Sequence, residues 1–390
     1  MIRSIVAIIV VALGMSSAQA DLLVEKKSFS MSNYTTVGGE TIAEVTVGWE
    51  AYGELNEAKD NVILITHFFS GNSHAAGKYQ PTDPLPGYWD AIIGPGKAID
   101  TDRFYVISSD TLVNAFANDP NVITTGPASI NPATGKPYGL DFPVVTIGDF
   151  VRVQNALLES LGIDKLHAVV GASMGSLQAI EWAAMYPDKV ERMISVIGTG
   201  AMDAWTIMGL EHWARAIKAD AKWNNGNYYD GEAPLLGVTN ALAMITQNAM
   251  HPTIMNMQAP KQDVLPEAGL ASVTNNLPAL DYLFGAAASR AHLAEANHIL
   301  YLVRANQLFV AGHNQDLATG LSPIKAKTLF LPATNDLLLQ PYLAKQTVEL
   351  LEQQGKQPQY EEISGVWGHL DGLFSITSKA ETIRTFLNTP

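Results

Sequence analysis

A serine stands between closely spaced glycines in the segment 171–175, GASMG, which matches the pattern G-x-S-x-G. Glycines let the backbone pass through a strained turn from a strand into a helix, and this turn lifts the serine hydroxyl above the sheet. The N–H of the next residue, Met174, then faces the negative charge that develops on a carbonyl oxygen under attack. The pattern predicts that Ser173 is a nucleophile. The alternative is an ordinary helix-capping serine.

A serine nucleophile needs a base for its proton, and the base needs a carboxylate that orients it. With G-x-S-x-G these partners follow in the order serine, aspartate or glutamate, histidine. Of the nine histidines, only His369 follows the last predicted strand, in the glycine-flanked segment 365–369. We therefore predict that His369 is the base, rather than a histidine of a surface loop.

Asp336 lies just after the predicted strand 328–331, and it is our candidate for the orienting acid. The competing interpretation is an aspartate that only ends a strand in an Asx turn. Asp371 follows His369 in the chain and fits the order less well. A second oxyanion donor is expected in the loop 67–71, after an early strand. Phe69 N–H is the candidate, with Phe68 as the alternative.

The elements around these residues alternate between strand and helix. Buried-strand patterns occupy 62–65, 104–107, 167–170 and 193–197, and helical patterns occupy 150–161 and 177–186. This alternation predicts an α/β fold with a mostly parallel central sheet and flanking helices. Residues 201–322 are mainly helical in pattern, and strand character returns at 328–331 and 360–363. We predict a core of 21–200 and 323–390 with an inserted helical lid, 201–322, over the carboxyl ends of the strands.

Composition excludes several classes of function. The chain has 390 residues, a formal net charge of −14 and no cysteine. The negative charge disfavours nucleic acid and anionic membrane surfaces as partners. The lack of cysteine removes thiol nucleophiles and thiolate metal sites. No metal-ligand spacing and no glycine-rich nucleotide loop occurs, so we expect neither a metal nor a cofactor.

The first twenty residues resemble a secretory leader. Arg3 is their only charge, an apolar run covers 5–13, and the small-residue segment Ala18-Gln19-Ala20 follows. This is the three-part order of a signal peptide with an A-x-A cleavage site. The apolar run is too short to span a bilayer comfortably. We predict a signal peptide at 1–20, cleavage after Ala20, and a periplasmic or secreted protein.

Several blocks of the chain resemble the homoserine O-acetyltransferases of the α/β-hydrolase superfamily, over nearly all of the mature length. The matching blocks are 67–77 (HFFSGNSHAAG), 94–100 (GPGKAID), 124–132 (TTGPASINP), 138–146 (YGLDFPVVT), 171–182, 223–228 (WNNGNY), 296–305 (ANHILYLVRA) and 335–336. The resemblance implies the same triad, a helical lid, a homodimer packed through lid helices, and acyl transfer through an acyl-enzyme.

The departures from this family concern the substrate. The family's lid arginine, which holds the homoserine carboxylate, aligns with Ala214, and Arg215 is about 100° further round the helix. The Gly-His-Asp block of the family becomes Gly368-His369-Leu370-Asp371. By the resemblance, Arg304 and Asp371 are the candidate substrate-binding residues. We expect an exported esterase or acyl-transfer enzyme for small acyl esters. The alternatives are a homoserine-type acetyltransferase with acetyl-CoA as co-substrate, and a non-catalytic ligand-binding protein.

Overall fold

The computed structural model describes residues 22–262, 266–313 and 316–389. The predicted signal peptide and its cleavage site lie outside the described residues. Twelve strands are formed within them: β1 (Lys27–Thr35), β2 (Thr41–Tyr52), β3 (Val62–Thr66), β4 (Ile93–Gly94), β5 (Ile99–Asp100), β6 (Tyr105–Ser109), β7 (Ile130–Asn131), β8 (Lys136–Pro137), β9 (Ala168–Ala172), β10 (Arg192–Val196), β11 (Lys327–Leu331) and β12 (Gln359–Tyr360).

Eight of these strands form one central sheet in the order β1-β2-β6-β3-β9-β10-β11-β12. The pairs β1–β2 and β2–β6 are antiparallel, and the pairs from β6 to β12 are parallel. The α/β prediction with a mostly parallel sheet is therefore confirmed. The sequence pattern did not predict β1, which lies at the antiparallel edge and is largely exposed.

The helices are α1 (Ile147–Ser160), α2 (Met174–Met185), α3 (Ala204–Lys218), α4 (Leu235–Ala249), α5 (Pro252–Gln258), α6 (Glu267–Ala271), α7 (Pro278–Ala291), α8 (Ala296–Gln307), α9 (Leu317–Leu321), α10 (Pro341–Gln353), α11 (Asp371–Phe374) and α12 (Ala380–Asn388). Helices α3 to α9 lie between β10 and β11, in the segment predicted to be the lid. Among the described helices, none is both long and apolar enough to cross a bilayer.

Local sequence explains where the main helices begin. Thr146 caps α1 by accepting from the Asp149 N–H, and the Asp149 carboxylate accepts from the Thr146 N–H in return. Such a capping box satisfies two N–H groups that have no partner within the helix. Asp203 caps α3 with its side chain alone, by accepting from the Thr206 N–H. The predicted strand 360–363 shortens to β12, after which Ile363 forms only an isolated bridge to Ala333.

The core lies on both faces of the sheet. Along β3, Val62 and Leu64 pack into one apolar cluster, whereas Ile63 and Ile65 pack into the other. Side chains of a strand alternate between faces, so a strand covered on both sides is apolar throughout. This double burial holds the carboxyl ends of β3, β9 and β11 at one edge, where the candidate site lies.

Candidate active site

Ser173 lies in the turn between β9 and α2, with the backbone angles φ 56° and ψ −123°. This is a left-handed conformation that non-glycine residues rarely adopt. The neighbouring glycines are required by close packing: a Cβ on Gly171 would lie 2.1 Å from the Gly175 carbonyl oxygen, and one on Gly175 would lie 2.0 Å from the Thr66 carbonyl oxygen. The Ser173 N–H donates to the Val196 carbonyl at 2.9 Å. The turn is thus held from both neighbouring strands, as a strained backbone must be.

The structure brings Ser173, His369 and Asp336 together. Ser173 Oγ lies 2.7 Å from His369 Nε2, and His369 Nδ1 lies 2.6 Å from Asp336 Oδ2. All three residues are buried, with exposed fractions of 8%, 5% and 3%. In a site with little water, these hydrogen bonds are stronger than they would be at the surface.

The Asp336 carboxylate is fixed by backbone donors. Its Oδ1 accepts from the Leu338 N–H at 2.8 Å and from the Leu339 N–H at 3.0 Å. Its Oδ2 is thereby left for His369 Nδ1. A carboxylate oxygen only accepts, so Nδ1 carries a proton and Nε2 is the ring nitrogen that can accept from the serine hydroxyl. This is the tautomer that a general base for Ser173 requires.

The loop before His369 is held by Asp371. The Asp371 side chain is completely buried, and its carboxylate accepts from the Gly368 N–H at 3.1 Å and from Ser375 Oγ at 2.5 Å. Its oxygens therefore hold the turn that carries His369. We predicted Asp371 as a substrate-binding residue, and the structure places its carboxylate in these loop contacts. Gly368 also pairs with Met250, which ties the loop to the end of α4.

The two predicted oxyanion donors are backbone N–H groups that follow the neighbouring strands β9 and β3. Met174 N–H opens α2 directly after Ser173, and Phe69 N–H lies in the loop that leaves β3. Neither donates to an acceptor among the residues that the structure describes. The Phe69 ring packs edge-on against Trp213 of α3, with ring centroids 5.4 Å apart. The helical segment therefore contacts the loop that carries this donor.

The positively charged candidates lie at the surface. The Arg215 side chain is 75% exposed and faces Glu211 at 3.6 Å. Arg304 is exposed in the last turn of α8, where its side chain makes no hydrogen bond or ion pair with the described residues. Ala214 is buried, at 2% exposed. The structure does not bring Arg304 into contact with the three site residues.

Sequence reasoning missed the groups that hold these residues in place. The Leu338 and Leu339 donors are backbone atoms, and no side-chain pattern signals them. Gln178 is buried on α2, and its Nε2 donates to the His67 carbonyl at 3.2 Å. Its place within the matching block 171–182 was the one signal available. No group of three or more histidine, aspartate or glutamate side chains suited to a metal occurs among the described residues.

Comparisons with known proteins agree with this architecture. The family of the alpha/beta hydrolase fold matches residues 85–374. A homoserine O-acetyltransferase of Symbiobacterium thermophilum is 38% identical over 353 residues, which cover 90% of each chain.

Two solved structures are similar over 94% of this chain. The crystal structure of esterase E22 has 58% sequence identity and a TM-score of 0.92, and all of that chain is covered. Homoserine O-acetyltransferase from Bacillus anthracis has 38% identity and a TM-score of 0.91, with 98% of that chain covered. This chain is therefore an enzyme of the α/β-hydrolase fold family, within the group related to the homoserine O-acetyltransferases.

Proposed function

We propose that this protein is an exported serine esterase or acyl-transfer enzyme that acts on small acyl esters. Ser173 is the nucleophile, His369 the base and Asp336 the orienting acid. The observation that carries the proposal is the continuous chain of hydrogen bonds from Ser173 Oγ through the imidazole to Asp336. Activation of the serine by a general base explains why a buried serine in a strained turn faces a histidine whose second nitrogen is fixed by a carboxylate.

The reaction proceeds in two steps on these atoms. Ser173 Oγ attacks the ester carbonyl while its proton passes to His369 Nε2, and Asp336 balances the charge of the imidazolium. The Phe69 and Met174 N–H groups donate to the oxyanion of the tetrahedral intermediate. When the intermediate collapses, His369 returns the proton to the leaving alcohol and an acyl-serine remains. Water or another alcohol then attacks the acyl-serine with the same proton transfers in reverse order.

The choice of small neutral esters rests on charge. A carboxylate that enters a largely apolar cleft loses its hydration, and without a partner this costs several kcal/mol, on the order of 2–7 for a polar group and more for an ion. By the resemblance, Ala214 stands where the family has its arginine, and an alanine side chain carries no charge. Arg215 turns to the surface, where it faces Glu211. The similarity to an esterase at 58% identity supports the same choice.

The second candidate is acetylation of homoserine with acetyl-CoA as co-substrate. It is supported by the name of the Symbiobacterium thermophilum relative, which is 38% identical. A non-catalytic binding protein is the third candidate, and the intact Ser173–His369 hydrogen bond disfavours it.

One experiment separates these three functions. Catalytic efficiency is measured on p-nitrophenyl acetate and, separately, on homoserine plus acetyl-CoA, with wild type and Ser173→Ala. We expect Ser173-dependent ester hydrolysis and weak or absent homoserine acetylation. Acetylation as efficient as that of a biosynthetic enzyme would favour the second candidate. Equal rates for wild type and Ser173→Ala on both substrates would favour the third.

Export and assembly are further parts of the proposal. The leader pattern at 1–20 supports cleavage after Ala20, and N-terminal sequencing of the protein from the periplasm or medium should begin at Asp21. Retention of Met1 in a cytoplasmic protein would contradict export.

A homodimer through the lid helices is supported by large apolar side chains exposed on three of these helices: Trp205 and Met208 on α3, Leu235 and Leu236 on α4, and Leu280 on α7. Exposed apolar patches commonly mark interfaces. Light scattering should give about twice the monomer mass, and Trp205→Glu should lower it. A monomer at high concentration would contradict this assembly.

A further inference from the structure

His67 is a buried histidine next to the candidate oxyanion loop, and the reaction described above does not use it. It follows β3 directly, and its side chain is completely buried. Both ring nitrogens are bonded to the backbone. Nδ1 lies 2.8 Å from the Phe68 carbonyl oxygen, and the Thr111 N–H donates to Nε2 at 3.1 Å.

These two partners determine where the imidazole proton is. A carbonyl oxygen only accepts and a backbone N–H only donates, so Nδ1 is the donor and Nε2 the acceptor. The ring is thus neutral, with its proton on Nδ1. Burial lowers the pKa of His67, which agrees with this neutral state. Protonation of the second nitrogen would break the bond from Thr111.

The carbonyl that His67 binds belongs to the peptide that supplies the candidate donor. The Phe68 carbonyl and the Phe69 N–H are the two ends of one planar trans peptide, so they point in opposite directions. Fixing the carbonyl therefore fixes the direction of the N–H. A hydrogen bond accepted at the carbonyl also polarises the peptide and makes its N–H a better donor. Gly71 N–H donates to the same carbonyl at 2.9 Å.

The preceding peptide is held in the same manner. Gln178 Nε2 donates to the His67 carbonyl, the opposite end of the peptide that carries the Phe68 N–H. Gln178 lies on α2, one turn after Met174, and its amide oxygen accepts from Gln154 at 2.7 Å. Thr66 Oγ1 also donates to the Gly175 carbonyl at 2.7 Å. The loop after β3 and the turn at Ser173 are thus joined as one unit.

We propose that His67 is a positioning residue, which holds the Phe68–Phe69 peptide so that the Phe69 N–H faces the oxyanion. This inference rests on the proposed function. His67 acts by orienting the peptide and does not itself contact the substrate.

Three substitutions separate the two hydrogen bonds of His67. Asparagine keeps a donor near the position of Nδ1 and lacks the acceptor for Thr111. Glutamine reaches the position of Nε2 and can accept from Thr111, but it has no donor near Nδ1. Leucine has neither group.

The value of kcat should depend on whether residue 67 keeps a hydrogen-bond donor at the position of Nδ1. Loss of a complete oxyanion donor costs about 100- to 1,000-fold in kcat, so loss of its positioning should cost about 10- to 100-fold. We expect this fall in kcat on p-nitrophenyl acetate for His67→Gln and His67→Leu, with KM unchanged, because the donor acts in the transition state. His67→Asn should retain most of kcat. The inhibition constant of phenylboronic acid, which forms a tetrahedral adduct with serine, should rise in parallel with the loss of kcat.

Thermal stability should rank the His67 variants in a different order from kcat. His67→Asn leaves the Thr111 N–H buried without an acceptor and should be less stable than His67→Gln, the reverse of the order in kcat. A merely structural role would make kcat follow stability. His167→Asn is the control. His167 is half-buried and, like His67, is bonded to a backbone carbonyl, that of Leu387 at 2.8 Å, but it precedes β9 at the end of the strand that is far from Ser173. Its kcat should equal that of wild type.

Two results would overturn the proposal: a folded His67→Gln or His67→Leu variant with wild-type kcat, or a His67→Asn variant as slow as His67→Leu. Ser173→Ala is measured beside them. If wild type is no faster than Ser173→Ala, the proposed function fails. If hydrolysis depends on Ser173 but not on His67, only this inference fails.

A measurement on wild type needs no variant. In ¹⁵N-labelled protein, the imidazole that shows a through-space contact to the Thr111 amide should carry its proton on Nδ1. A ring protonated on Nε2, or on both nitrogens, at neutral pH would overturn the proposal whether or not the variants fold.

Discussion

Replacement of Asp336 by asparagine should almost abolish the chemical step, and the structure shows why. Asp336 Oδ1 accepts from the Leu338 and Leu339 N–H groups, whereas Oδ2 faces His369 Nδ1. In the Asp336→Asn variant these two donors hold the amide oxygen at the position of Oδ1. The amide NH₂ group is then turned toward Nδ1.

An NH₂ group facing Nδ1 reverses the tautomer of the imidazole. Nδ1 must accept, so the proton moves to Nε2, and His369 can no longer take the proton of Ser173. The same exchange in a Ser-His-Asp enzyme lowers kcat about 10⁴-fold, which corresponds to about 5.4 kcal/mol of transition-state stabilisation. We expect a loss of this size with little change in geometry.

The assay is single-turnover hydrolysis of p-nitrophenyl acetate, which isolates the acylation step. Asp149→Asn is the control for neutralising a buried carboxylate elsewhere. Asp149 is completely buried and accepts from Tyr34 Oη at 2.7 Å and from the Val37 N–H at 2.8 Å. The Asp149→Asn variant should be less stable than wild type, with kcat unchanged. A folded Asp336→Asn variant within about tenfold of the wild-type kcat would refute the tautomer argument.

Three further predictions concern packing, charge and pH. Gly175→Ala should destabilise the protein by about 1–3 kcal/mol or more, because the added Cβ would lie 2.0 Å from the Thr66 carbonyl oxygen. Thermal denaturation measures this loss, and an unchanged midpoint would contradict the prediction. Arg215→Ala should leave kcat/KM unchanged and alter stability by less than about 1 kcal/mol, since its ion pair is exposed; a large loss of activity would place Arg215 in the site. The pKa of His313 is raised by the Glu181 carboxylate, whose Oε1 lies 3.0 Å from His313 Nε2. The contribution of this pair to stability is therefore complete below the unfolded pKa of about 6.5 and is lost as pH rises through the folded pKa. The difference in the free energy of unfolding between wild type and His313→Asn should therefore shrink toward alkaline pH. The other buried histidines, whose pKa is lowered, change stability with pH in the opposite direction. Both proteins contain them, so their contribution cancels in this difference.

The main elements of the fold were predictable because strands covered on both faces are apolar throughout. The patterns at 62–65 and 167–170 became β3 and β9 with shifts of one or two residues. Strand β1 was missed because its exposed edge position leaves a mixed pattern with weak alternation. Helix α2 begins three residues earlier than its apolar pattern, at Met174, because the turn at Ser173 sets its start rather than amphipathic spacing.

The arrangement of the site was predictable from chain order, whereas its supports were not. The order Ser173, Asp336, His369 pointed to three residues that the structure places within hydrogen-bonding distance. The position of Asp371 in the chain did not show that its carboxylate turns into the loop, where it accepts from Gly368 and Ser375. The supports of the oxyanion loop depend on tertiary contacts, such as that between His67 and Thr111, which are 44 positions apart.

The most direct test of the central claim is the site of covalent modification by a fluorophosphonate probe. Intact-protein mass spectrometry should show one adduct on wild type, and peptide mapping should place it on Ser173. The adduct should be absent from Ser173→Ala, which thermal denaturation should show to be folded. Labelling that persists in Ser173→Ala, or that maps to another residue of wild type, would contradict the claim that Ser173 is the nucleophile.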